Sequence, residues 1–277
     1  MKLTIVSTLL LACLLTSFAS HANGKLLGTP GVSQVEGAAG GGLVPWAQLA
    51  GYATEDEWAI SGFCTKADVD DFSLKVCGAQ ANFFDRLELS YAEQDFKVNP
   101  LNTELSQSIT GAKVRLYGDL IYSQWPQLTF GVQYKKLDTP AVANALGATD
   151  TSGYDYYLSA SKLHLGAAFG YNLLWSATAR STSANEMGLL GFGSAKHNRS
   201  VQLELSSAVL LNKHLAVGVE YRQKPDNLGL QESNWRDVFV AWFPNKYANV
   251  TLAYIDLGTI AALPKQTGWY LSVTGYF

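Results

Sequence analysis

The last ten residues of the chain, Gly268-Trp269-Tyr270-Leu271-Ser272-Val273-Thr274-Gly275-Tyr276-Phe277, have a period of two. From Trp269 onward every second residue is apolar or glycine, and each residue between them carries a hydroxyl group. This alternation is typical of a strand with one face in lipid and the other towards a polar interior. An aromatic residue at the end of the apolar face resembles the signal that the outer-membrane assembly machinery reads. We therefore expect that role for Trp269, Leu271, Val273 and Phe277.

The same alternation recurs earlier in the chain, in the stretches 87–91, 114–116, 128–134, 201–205 and 215–221. A soluble β-sandwich would alternate too. However, several of these apolar faces end in a tyrosine, as an interfacial aromatic girdle requires, and their polar faces carry full charges in mid-strand. We therefore predict an all-β fold, a transmembrane antiparallel up-and-down β-barrel, because only a closed barrel pairs every strand edge in lipid.

Connection lengths predict the topology, because bacterial barrels have short periplasmic turns, longer outer loops and an even number of strands. Short turns are expected near Phe84-Asp85, Ser123–Gln127, Lys162–His164, Asn212–His214 and Pro244–Lys246. Longer links are expected at Lys66–Asp71, Val98–Ser106, Asp138–Ser152, Thr178–Arg199, Lys224–Ser233 and Gly258–Gln266. Counting from a strand at Trp58–Thr65 gives about twelve strands, with the C-terminus in the periplasm.

The first residues have the features of a secretory signal peptide. Met1-Lys2 is a short positive region, Leu3–Leu15 is an apolar stretch too short to span a bilayer, and Ser20-His21-Ala22 offers a cleavage site. Leu10-Leu11-Ala12-Cys13 resembles a lipoprotein box, but apolar residues follow Cys13 where lipoproteins continue into a polar tether. The predicted organisation is a signal peptide over residues 1–22, a glycine-rich segment over 23–57 and an outer-membrane barrel over 58–277.

The glycine-rich segment has two alternative interpretations. It enters the barrel as a plug or strap, or it supplies a further hairpin from Gly31–Gly37 and Leu43–Ala53, which would make fourteen strands. Its run Gly37–Gly42 has neither the spacing of a dinucleotide-binding motif nor the Lys-Ser/Thr of a phosphate-binding loop. We interpret that run as a flexible tip or a closely packed strand.

Cysteine and histidine usage limits the chemistry. After the signal the chain keeps Cys64 and Cys77, a candidate disulfide for an oxidising compartment, with two free thiols as the alternative. None of His164, His197 and His214 forms the His-x-Ser pair of outer-membrane lipid hydrolases. We expect no enzyme activity, catalytic residue, metal or cofactor. The formal net charge of −3 gives no reason to expect a nucleic-acid partner.

Charged residues on the polar faces are predicted to lie in the lumen. The candidates are Arg86, Glu88, Lys113, Arg115, Lys135, Glu204, Glu220 and Arg222. The basic residues of the early strands would face most of the acidic residues of the later strands, which would create a transverse field in a narrow pore. The alternative is that these charges pair and fill the barrel, which leaves no conduit.

Several runs of the chain resemble a family of exported Gram-negative proteins catalogued as a domain of unknown function. They are Leu26–Gly37, Gly111–Leu116, Gly188–Gly193, Glu220–Gly229, Ala241–Lys246 and Gly268–Ser272. The resemblance covers most of the mature chain in order. It implies an outer-membrane or secreted barrel and brings no established activity, ligand or catalytic residue.

The sequence therefore predicts an outer-membrane protein, exported through the periplasm, that is a small pore or transport protein for small solutes. The alternative is a structural or surface-interaction barrel without a conducting pore, whose loops at Asp138–Ser152 and Thr178–Arg199 contact partners. The expected partners are outer-membrane lipid, the barrel assembly machinery and, for a pore, small solutes.

Overall fold

The computed structural model describes residues 25–32 and 35–277, and its strands form a closed antiparallel barrel. Each strand pairs with its neighbours in sequence, and the first pairs with the last, in the register Cys64 opposite Val273. The strands are β1 Trp58–Val69, β2 Phe72–Phe83, β3 Leu87–Val98, β4 Thr103–Tyr117, β5 Gln127–Leu137, β6 Ser152–Ala168, β7 Tyr171–Thr182, β8 Ser200–Asn212, β9 Leu215–Arg222, β10 Trp235–Asn245, β11 Ala248–Ile260 and β12 Leu263–Tyr276.

The predicted count of twelve strands is confirmed, and the alternative of fourteen is wrong. Within the described parts of the glycine-rich segment, 25–32 and 35–57, no strand forms, and Gly40 and Pro45 make a single isolated bridge. The signal-peptide prediction lies outside the described residues. No helix in the described part of the chain is long and apolar enough to cross a membrane. The α-helix there, α1 Ala141–Ala145, has five residues.

The two faces of each strand separate as the alternation predicts. On β12 the side chains of Trp269 and Phe277 point outward and remain 57% and 68% exposed, whereas the hydroxyl-bearing residues between them are buried inside. Outward-facing tyrosines on other strands extend this aromatic girdle. Tyr134 packs against Tyr154 with tilted rings, and Tyr254 packs edge-on against Trp269. The outer belt is therefore apolar and bounded by aromatic residues, as lipid requires.

One end of the barrel carries the chain end and the other carries the longest loops. The first end, here called the turn end, carries Phe277, whose backbone exchanges two hydrogen bonds with that of Ile60 near the start of β1. The opposite end, here called the loop end, carries the links 138–151, 183–199 and 223–234. Three other links at the loop end are shorter than expected, because β1, β3, β4 and β11 are longer than the alternation indicates. The strict sorting of short and long connections by side was therefore wrong in part.

The predicted turn at Lys162–His164 is also wrong, because β6 continues through it to a tight turn at Phe169-Gly170. The buried ammonium of Lys162 donates to the backbone carbonyls of Asp119, Ile121 and Ser123. These hydrogen bonds allow a charged residue to lie within the strand rather than in a turn. Likewise β7 extends to Thr182, so the first residues of the expected loop Thr178–Arg199 are part of the barrel wall.

Cys64 and Cys77 lie directly opposite one another on β1 and β2 and are joined by a disulfide in this structure. Their register places the bond on the outer face, in the middle of two antiparallel strands. The cross-link staples the strand pair that directly follows the glycine-rich segment.

Candidate functional site

The lumen is occupied by the chain's own N-terminal segment. Residues 30–32 and 35–53, here called the plug, are buried along their whole described length. Val44, Trp46, Ala47 and Leu49 are among the most completely enclosed side chains. The plug has almost no secondary structure of its own, so its backbone groups need partners from the barrel wall.

A balanced group of charges holds the plug at its centre. The central ion cluster comprises three cations and three carboxylates, Glu36 of the plug with Lys135, Asp155, Arg180, Glu204 and Arg222 of the wall. Glu36 pairs with Lys135, with Arg180 at 3.2 Å and with Arg222 at 2.8 Å. Arg180 in turn binds Glu204 at 2.7 Å between nitrogen Nε and oxygen Oε1.

The ionisation of Glu36 follows from this geometry. Its side chain is fully buried. Burial by itself raises the pKa of the Glu36 carboxyl, but Arg180, Arg222 and Lys135 outweigh it and hold that pKa well below the usual range. Glu36 is thus ionised, and the wall cations neutralise its charge while the plug lies in the lumen.

Two further wall carboxylates bind plug backbone. Glu88 accepts from the backbone N–H groups of Ala39 and Ala50 at 3.0 and 2.8 Å, and it pairs with Lys113 at 3.3 Å. Lys113 donates to three plug carbonyls, those of Ala39, Trp46 and Gln48. On the opposite side Glu220 accepts from the backbone N–H of Leu43 at 2.6 Å and from Nε1 of Trp46 at 3.3 Å.

Side-chain amides of the wall complete the binding of the plug. Their Nε2 or Nδ2 atoms donate to five plug carbonyls, in the pairs Gln94 to Val35, Gln133 to Glu36, Gln80 to Gly37, Gln127 to Ala47 and Asn82 to Ala50. These bonds satisfy buried backbone groups that would otherwise cost stability.

The glycines of the plug permit this close approach. A Cβ on Gly41 would lie 1.7 Å from Oε1 of Glu220, and one on Gly42 would lie 2.3 Å from the hydroxyl oxygen of Tyr270. The run Gly37–Gly42 is therefore the place where the plug backbone meets the wall with no room for side chains at Gly41 and Gly42.

Six of the eight predicted lumen charges face the lumen as buried groups, and they contact the plug or the central ion cluster. These six are Glu88, Lys113, Lys135, Glu204, Glu220 and Arg222. Arg115 lies at the rim of the turn end, where it pairs with Asp85 and Asp119. Arg86 was wrongly placed, because the β2–β3 turn includes it and its exposed side chain donates to the carbonyl of Arg115.

Sequence reasoning missed three members of the central ion cluster. Arg180 was assigned to a loop, Asp155 was not recognised as inward-facing, and Glu36 was left in a segment of undecided placement. The charges are also not separated across an open conduit, because Glu36 bridges the cations of β5, β7 and β9.

A second segment closes the loop end. The inner loop, residues 183–193, folds back into the barrel mouth, where Leu189, Leu190 and Phe192 are buried. Phe192 forms isolated bridges with Asp150 and Ala184. Beside it the ammonium of Lys224 lies between the carboxyl groups of Glu186 and Glu232, at 2.5 and 2.6 Å.

This loop is predicted to loosen as pH rises. Burial, the largest effect, raises the pKa of Glu186 to about 8, so the folded loop takes up a proton that the released loop gives up. Between the usual carboxyl range and pH 8, closure should weaken by up to about 1.4 kcal/mol per pH unit. Hydrogen exchange at residues 183–193 should speed up from pH 5 to pH 8, beyond the intrinsic change, and Glu186→Gln should flatten that response. An equally steep response in Glu186→Gln would assign the effect to another group.

Three comparisons with known proteins bear on the chain. A family model described as Protein of unknown function (DUF3034) matches residues 29–274. A comparison with curated proteins finds no match. Among solved structures, the outer membrane protein Omp33 of Acinetobacter baumannii is 7% identical with a TM-score of 0.50, over 81% of this chain and 100% of that one. The KdgM porin in complex with disordered oligogalacturonate is 10% identical with a TM-score of 0.50, over 78% and 99%. At these identities the likeness shows the fold alone, a closed β-barrel like that of these outer-membrane proteins.

Proposed function

The chain belongs to the family described as Protein of unknown function (DUF3034), and from that premise we propose that it is an outer-membrane channel closed by its own plug. Small solutes pass only when the plug leaves its seat. The turn end faces the periplasm and the longest loops face outward. The proposal rests above all on one observation, the binding of Glu36 by three wall cations inside the barrel.

The mode of attachment supports a removable plug. The segment is held by ion pairs, by hydrogen bonds to its backbone and by apolar packing of side chains such as Trp46 against the wall, with no described strand pairing to the wall. Water entering a partly opened lumen can replace the ion pairs and hydrogen bonds, so the polar part of this attachment is exchangeable. Moving the plug would expose a wall lined by glutamines and charged side chains, which suits a wet conduit.

A structural barrel that never conducts is the second candidate. It is favoured by the inner loop, which closes the loop end independently of the plug with buried apolar residues such as Leu189 and Phe192. In that case displacement of the plug alone would leave the barrel sealed.

A reversible lock tests the channel proposal. A Cβ on Gly37 would lie 3.1 Å from Cβ of Ala92, slightly closer than the roughly 3.5–4.5 Å of disulfides, and Gly37 has a positive φ of 94°. With a small local shift of the plug backbone, Gly37→Cys with Ala92→Cys should therefore tie the plug to β3. In planar bilayers the unmodified protein should show current steps at high voltage. The oxidised double variant should show none, and a reductant should restore them.

The control is the unmodified protein in the same reductant, since its native disulfide is reduced as well. Each single cysteine variant checks that the substitutions alone do not block the current. Current steps in the oxidised double variant, with its cross-link verified by mass spectrometry, would contradict gating by the plug. Absence of steps in every form would support the structural barrel.

A further inference from the structure

The plug leaves a cavity at the turn end of the barrel. Its volume is about 610 Å³, and a smaller space of about 90 Å³ adjoins it. Sites for small organic ligands typically occupy a few hundred to about a thousand Å³. Lys25, Leu26 and Thr29, which lie just before the plug in the chain, line both spaces.

One wall of the turn-end cavity is apolar although it faces the lumen. Along β6 and β7 the inward residues are polar near the plug, such as Ser161 and Ser176, and change to Leu163 and Leu174 towards the turn end. Leu210 of β8 and Leu120 of the β4–β5 link extend this surface. Leu120, Leu163 and Leu174 are themselves only 7%, 5% and 5% exposed, so the hydrophobic gain would come mainly from a ligand's own apolar chain leaving water for a space that leucines line.

The polar groups around the larger space are basic or neutral. Among the described residues, Lys25, Lys213 and Lys246 are the charged residues that line the larger space, whereas Asp85 and Asp119 line the smaller one together with Lys25. Lys25 is paired with Asp85 at 2.5 Å, and Lys246 lies over the ring of Tyr52. The ammonium of exposed Lys213 is at the mouth. An anion at that mouth would be favoured electrostatically.

A buried polar side chain also lines the cavity. Gln48 is 2% exposed, and neither its Oε1 nor its Nε2 has a hydrogen-bond partner within residues 25–32 and 35–277, the part of the chain that the structure describes. Leaving such a group without a hydrogen bond costs stability. Because Gln48 lines both the larger and the smaller space, we infer that a bound molecule supplies its partner.

We propose that the turn-end cavity binds a small amphiphilic anion, an alkyl carboxylate or a similar molecule, with its chain on the leucine wall and its head near Lys213 and Gln48. The apolar wall disfavours a fully hydrophilic anion, which has no apolar chain to bury against the leucines. The basic lining disfavours a neutral or cationic amphiphile. The site does not require the plug to move, so it stands independently of conduction.

Binding of radiolabelled decanoate to the full chain in zwitterionic nanodiscs tests the proposal. Equilibrium dialysis against empty nanodiscs removes the contribution of partition into lipid. We expect one saturable site per chain. Lys213→Glu should weaken binding by about three- to fivefold, the effect of one partly exposed charge. Leu174→Trp should fill the cavity and weaken binding by more than about tenfold.

Leu203→Trp, which places the same side chain on the outer face of the barrel, is the matched control and should leave binding unchanged. Decanol and acetate, as unlabelled competitors, should each displace decanoate poorly, because one lacks the charge and the other lacks the chain. Absence of saturable binding would refute the site. It would also be refuted if Lys213→Glu and Leu174→Trp both bound decanoate as tightly as the unmodified protein does. Competition by acetate as strong as that by decanoate would show an unspecific anion site and would also overturn it.

Discussion

Replacing Glu36 by glutamine should release the plug and lower the free energy that holds it in the lumen by about 3–5 kcal/mol, the usual effect of removing one partner from a buried ion pair. The variant keeps the shape of the side chain but leaves Lys135, Arg180 and Arg222 with two carboxylates instead of three. An unmatched buried cation is then relieved only if water enters the lumen.

Two measurements check this expectation. Hydrogen exchange in residues 35–53 should become much faster, while the strands of the barrel remain protected. Planar bilayers should show frequent current steps at voltages where the unmodified protein is silent. A matched control is Asp68→Asn, which removes an exposed carboxylate from its pair with Lys66 and should change neither reading.

A second substitution should reverse the effect. Glu36→Gln combined with Lys135→Gln returns the central ion cluster to two cations and two carboxylates, so we expect protection of the plug to recover in large part. If Glu36→Gln alone leaves both exchange and current unchanged, the cluster does not hold the plug. If the double variant is no better than the single one, charge balance is not the reason.

Gly41→Val should produce the second large effect, because its Cβ would overlap the carboxylate of Glu220 at 1.7 Å. The plug tip cannot seat unless Glu220 gives up its bonds to Leu43 and Trp46. Overpacking of this kind costs about 1–3 kcal/mol when the surroundings can shift, and here it is concentrated on the segment that is free to leave.

The expected result is a barrel that still migrates as a folded species in unboiled gels, with a plug that exchanges freely and a channel that stays open. Gly62→Val on the outer face of β1 is the control, because its Cβ would meet no atom closer than 3.8 Å. Loss of plug protection without any current would favour the structural barrel. Unchanged protection of the plug would contradict the steric account of the glycine run.

The outer surface was predictable because lipid imposes a simple rule on it. Apolar residues at alternate positions, such as Leu128 to Tyr134, and the terminal face from Trp269 to Phe277 sufficed to give the fold and twelve strands. The predictions failed where that rule is weak. The outward residues of β7 near its end are small, as in Ala177 and Ala179, so the stretch with Arg180 did not stand out from a loop.

The interior was predictable only in part. Inward charges such as Glu88, Lys113 and Glu220 could be recognised from the alternation, but their partners could not. Glu36 lies 99 residues from Lys135 and 186 from Arg222 along the chain, and no local pattern signals such pairings. The plug has no periodicity either, since its backbone bonds go to wall side chains and to other plug residues rather than to a neighbouring strand.

The closing seam between β1 and β12 also constrains how the molecule can be made. The plug directly precedes β1, and β1 reaches its second neighbour only when the last strand arrives. Plug insertion therefore has to precede or accompany closure of the cylinder, since a finished wall would admit the segment only through its ends. The barrel wall is thus expected to assemble around the bound plug. The affinity of the early strands for the plug would then affect the rate of assembly.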